Sequence, residues 1–125
     1  MKKIYFFTLI ILILTACNST TISLVELDEL PENVEEKMDQ NATLQKINSG
    51  EKVSYIVYKS RSDVEGTFEK EGTKLIVKLN ESGEGDEEKA HFFRLTKSKD
   101  ADVEYMEVQI NGEPVPFDVI VISGE

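Results

Sequence analysis

The chain has 125 residues, and its 24 Asp and Glu outweigh 14 Lys and Arg for a net charge of −10. That length bounds it at a single domain with short flanking segments. So acidic a chain, with no run of basic residues interleaved with aromatics, repels nucleic acid and anionic headgroups, and nucleic-acid binding is set aside. With one cysteine and no tryptophan, no internal disulfide can form, and stability has to come from an apolar core.

The first predicted element is a leader. Lys2 and Lys3 precede an apolar run of 13 residues, Ile4 to Ala16, which ends in Leu14-Thr15-Ala16-Cys17. A basic n-region, a short apolar h-region and small residues before a cut site make a secretory signal peptide. The run is short of the roughly 20 residues that a membrane span requires. A leucine three positions before a cysteine, with small residues between, resembles the lipobox of bacterial lipoproteins. The resemblance covers the leader alone. It implies that residues 1–16 are removed and that the Cys17 thiol carries a diacylglycerol with palmitate-like chains. It also implies a lipid-anchored protein on the extracytoplasmic face of the bacterial cell membrane. Each buried methylene contributes about 0.8 kcal/mol and stable anchoring takes two signals, which two acyl chains on one cysteine supply. The mature chain would hold 109 residues, with 12 basic against 24 acidic side chains, a charge of −12.

Residues 17–26 read as the lipidated cysteine and a tether, since Asn18, Ser19, Thr20, Thr21 and Ser23 are small and polar. Residues 27–125 read as one helix-plus-β domain. Leu27, Leu30, Val34 and Met38 recur at helical intervals, Pro31 suits a first helical position, and Glu32, Glu35 and Glu36 favour the positive end of the helix dipole. The spacing predicts a short helix from Pro31 to Gln40, with Leu44 and Ile47 extending it before Asn48-Ser49-Gly50.

From Lys52 the period becomes two. Val53, Tyr55 and Val57 alternate with Ser54, Ile56 and Tyr58 in a strand. Val64–Lys70 and Thr73–Asn80 read as a hairpin around Glu71-Gly72, with Leu75, Val77 and Leu79 on one face. Lys89–Lys97 reads as a fourth strand and Val103–Ile110 as a fifth. Asn111-Gly112 signals a turn, and Phe117–Ser123 reads as a sixth strand. The expectation is a mainly β (α+β) domain in which the short helix precedes an antiparallel meander of about six strands. A curled sheet, a small barrel and a sandwich all satisfy the pattern. Bulk on both faces of several strands calls for a second layer on one side and the helix on the other.

Absences shape the functional reading. His91 is the only histidine, and there is no Cys-x-x-Cys, phosphate loop or nucleophile elbow. No cofactor and no catalytic residue is expected, and the chain reads as a non-catalytic lipoprotein that binds a protein or another cell-envelope component. The alternative is a small-ligand or cation-binding lipoprotein that uses the glycine-punctuated acidic loop 81–88. Glu84, Asp86, Glu87 and Glu88 are its candidate ligands for a hard cation such as Ca²⁺. The loop lacks the donor spacing of an EF-hand, and a solvated charge run is the plainer account. Pro114-Val115-Pro116-Phe117 reads as an edge guard or as the rim of a groove for an extended peptide.

Overall fold

The computed structural model describes residues 22–50, 52–98 and 101–122. Along the chain they form β1 (Ile22–Leu27), the helical turn α1 (Glu32–Glu35), β2 (Leu44–Ser49), β3 (Val53–Ser60), β4 (Asp63–Glu71) and β5 (Lys74–Ser82). β6 (Lys89–Lys97), β7 (Tyr105–Ile110), β8 (Glu113–Pro114) and β9 (Val119–Ile122) follow.

Strand β3 is apolar on both faces, and such a strand has to be covered on both. It lies at the centre of a five-stranded sheet in the order β1-β6-β3-β2-β9; β4, β5, β7 and β8 form a second sheet in that order. Ile56 and Tyr58 of β3 join Leu44, Phe93, Val77 and Leu79 in a core shared by the two sheets. Tyr55 and Val57 of β3 turn the other way and join Ile47, Leu30 and Val34 under the 28–42 segment. The result is three layers: that segment, the larger sheet, and the smaller sheet. Burying side chains such as Phe93, 1% exposed, and Ile56, 0% exposed, contributes about 1.5–3 kcal/mol each. The approach of the sheets is tight at Gly66, where a Cβ would lie 2.8 Å from Phe93 Cε1 and 3.2 Å from Leu24 Cδ2.

Two expectations need correction. The helix predicted over 31–40 is a single turn, and Leu44 and Ile47 belong to β2 rather than to its continuation. Asp39 is responsible. Its carboxylate accepts from the Asn41 amide at 2.8 Å, while its own N–H and C=O are both held by the buried Gln45 side chain at 2.9 and 2.8 Å. Side chains that bond nearby backbone in this way compete with helix propagation. Leu30 and Val34, with Met38 beside them, still cover one face of the larger sheet, whereas Leu27 is part of that sheet, at the end of β1.

The antiparallel meander is the second correction. Both sheets are mixed and neither closes: β9 runs parallel to β2, and β7 parallel to β5. β3 pairs with β6 rather than with β4, because the β4–β5 hairpin leaves the first sheet to build the second. Residues 22–26, expected in the tether, belong to β1, which runs antiparallel to β6 from Ile22 opposite Lys97 to Leu27 opposite Phe92. The proline segment guards an edge: β8 pairs with β7, and Val115 and Phe117 pack on the shared core.

Candidate functional site

Period-two alternation carries polar side chains into the gap between the sheets where the apolar core ends. On β5 the inward series Leu75, Val77, Leu79 continues to Glu81. On β3, Ile56 and Tyr58 are followed by Ser60, and His91 precedes Phe93 on β6. These groups meet at one end of the sandwich.

Glu81 is the hub. Its Oε2 accepts from Ser60 Oγ at 2.5 Å and from Tyr58 Oη at 2.9 Å. Its Oε1 accepts from Asn111 Nδ2 at 2.8 Å, and Asn111 Oδ1 takes the Glu81 amide at 2.9 Å. Asn111 reaches that position because it adopts φ 54° at the end of β7, a left-handed conformation that asparagine tolerates better than most residues. The Ser60 hydrogen bond, opposed by burial and reinforced by Asn111, Tyr58 and the charge of His91, holds the Glu81 carboxyl below its usual range. Burial, with the Glu81 hydrogen bond and charge behind it, pushes the Tyr58 phenol up to about 12. His91 Nε2 is buried without a hydrogen-bond partner. At neutral pH the arrangement therefore presents an ionised acceptor and a neutral phenol, neither matched to proton transfer there.

A cleft of about 580 Å³ opens beside this hub, lined by Thr43, Leu44, Tyr58, Asn111, Glu113 and Asp118 among others. Asp118 fixes its floor by accepting from the Thr43 and Leu44 amides at 2.9 and 3.1 Å. A second cleft of about 360 Å³ lies between Arg61, Asp63, Glu84, Asp86, Glu87 and Lys89. There the acidic loop is pinned to the β3–β4 turn, since the Gly85 amide donates to the Arg61 carbonyl at 2.8 Å. A side chain at Gly85 would crowd that carbonyl, with a Cβ only 2.9 Å away.

The structure divides the predicted loop. Glu81 and Ser82 are part of β5, whereas Glu84, Asp86, Glu87 and Glu88 are exposed beyond it. Among the described residues no group of three or more His, Cys, Asp or Glu side chains is disposed to hold a metal ion. Glu81 falls within the acidic run 81–88, yet its place two residues after Leu79 in an inward series marks it for a different role. Cys17 lies outside the described residues. Among the described residues, no helix is long and apolar enough to cross a membrane.

Residues 1–18 match the prokaryotic membrane lipoprotein lipid attachment site family. The match supports a lipid-anchored bacterial membrane lipoprotein and covers the leader with Cys17, leaving the β domain without a family. Neither the curated proteins nor the solved structures contain a match to the chain.

Proposed function

We propose that the chain is a non-catalytic lipoprotein, lipidated at Cys17 and held on the extracytoplasmic face of the membrane. Its β domain binds a protein or another cell-envelope component through the Glu81 end of the sandwich. One observation carries the reading. The lipid attachment site covers residues 1–18, and β1 starts at Ile22 opposite Lys97, at the far end of β6 from Lys89 and the acidic loop. The five residues from Cys17 to Ile22 reach at most about 17 Å, so the anchor holds one end of the sandwich near the lipid. The Glu81 hub, both distal clefts and the loop carboxylates lie at the other. The ionised Glu81 and neutral Tyr58 fit a rigid recognition surface better than an acid–base pair.

Crosslinking on intact cells tests this. A photoreactive residue placed at Glu87 should give one discrete adduct, and the same probe at Gly72, in the β4–β5 turn at the anchored end, should not. Conversion of Glu84, Asp86 and Glu88 to their amides should weaken the Glu87 adduct. No adduct from either position, together with turnover of an envelope substrate by the purified chain, would overturn the reading.

A further inference from the structure

At the anchored end the alternation that builds the core runs into lysines instead of carboxylates. Leu44 on β2 is followed inward by Lys46, and Phe93 and Leu95 on β6 by Lys97; Lys52 stands just before β3. With Asn48, Ser54 and Glu104, these lysines line an open cleft of about 430 Å³ between the two sheets. Among the described residues none of the three ammoniums has a salt bridge or a hydrogen bond from its Nζ, and Glu104 at the rim pairs with none of them. We propose that this end of the sandwich seats the phosphate groups of anionic phospholipid, with Lys46, Lys52 and Lys97 supplying the positive charge.

Three observations converge on that occupant. The first is charge: three ammoniums without a partner among the described residues share one cleft in a chain of net charge −10, and Lys46 is half-buried. Burial first, and Lys97 second, hold the Lys46 ammonium below its usual range, a penalty that a bound anion relieves. The second is position. Ile22 pairs with Lys97 itself, so the proposed anchor at Cys17 lies within about 17 Å of Ile22, at the end of β1 beside the cleft. The proposal therefore rests on the anchoring reading above. The third is the apolar rim. Ile122, 76% exposed, lines the cleft, and Tyr105, 65% exposed, begins β7 at the same end. Tyrosine and aliphatic side chains beside lysine suit the boundary between headgroups and water.

The net negative charge does not forbid this. β6 separates Lys97 from Lys89 and the acidic loop by eight residue steps, about 26 Å of strand. The Debye length at physiological ionic strength is about 8 Å. The membrane therefore senses the near lysines, with Glu104 and Glu71 beside them, and is screened from the far acidic loop.

The test uses mature, lipidated protein extracted from membranes and reconstituted in two kinds of vesicle, phosphatidylcholine alone and phosphatidylcholine with one-quarter phosphatidylglycerol. A water-soluble acetylating reagent then reads each lysine by mass spectrometry. Lys46, Lys52 and Lys97 should acetylate about fivefold more slowly in the anionic vesicles, while Lys59 and Lys89 react equally in both. Equal rates at all five positions would overturn the proposal. So would matching protection in phosphatidylcholine vesicles given millimolar inorganic phosphate, which would mark a free-anion site. Protein that fails to float with either vesicle would instead sink the anchoring reading, a result distinct from the other two.

Discussion

The two ends of the gap between the sheets are built from the same device and reach opposite electrostatic outcomes. At the Glu81 end a carboxylate is satisfied by Ser60, Tyr58 and Asn111. At the Lys97 end, lysine ammoniums face a cleft with no protein partner among the described residues. The contrast separates internal structure from readiness for an external ligand. A polar group that closes its own hydrogen bonds stabilises the fold, whereas one left open costs stability until something binds.

Substitutions in the shared core and at each end separate the two cases. The largest effect belongs to the core that joins the ends: Phe93→Ala should cost about 3–5 kcal/mol in chemical denaturation and weaken both ends together. Gly66→Ala, which drives a methyl against Phe93, should cost about 1–3 kcal/mol. Glu81→Gln should cost about 1–3 kcal/mol, since its donors lose a charged acceptor. Lys46→Met should be neutral or stabilising by up to about 1 kcal/mol, because it removes a half-buried, unpaired charge. Equal losses at Glu81 and Lys46 would erase the distinction between the two ends.

The pH dependence has a sign for each end. Glu81 has a depressed folded-state pKa, so its stabilisation is present above 4.5, its ordinary value, and is lost as pH falls below it. The gap in stability between wild type and Glu81→Gln should therefore close on the acid side. Lys46 loses its proton earlier in the fold than in the unfolded chain, where it is held to 10.5. Stability attributable to it should rise with pH just below that value, and Lys46→Met should lack the rise. The smallest effect concerns the acidic loop, where millimolar Ca²⁺ should leave the thermal midpoint unchanged in calorimetry.

Much of the strand layout was legible because period two is unambiguous when both faces are apolar. β3, the β4–β5 hairpin and β6 lie where their alternation puts them, and the inward set Leu75, Val77 and Leu79 is fully buried. Leu44 and Ile47 misled for a physical reason: a spacing of three suits a helical face, yet in a strand it sends the two side chains to opposite cores. β1 was hidden by Ser23, a polar residue in an edge strand. The parallel pairs β2–β9 and β5–β7 join segments more than 20 residues apart, and local pattern says nothing about such partners. The same holds for the sites. Lys46, Lys52 and Lys97 are scattered along the chain and meet only through sheet pairing, and Tyr58, Glu81 and Asn111 are likewise far apart in sequence. The leader needed no folding to be read, because its signal is contiguous.

Which end of the sandwich faces the membrane follows from lipidation of Cys17, and the intact mass of protein extracted from membranes reads that lipidation. The expected product is a chain beginning at Cys17, lacking residues 1–16 and heavier by at least two acyl chains on that residue. A chain still beginning at Met1, or one beginning at Cys17 with an unmodified thiol, would mean that the domain is not tethered by that end.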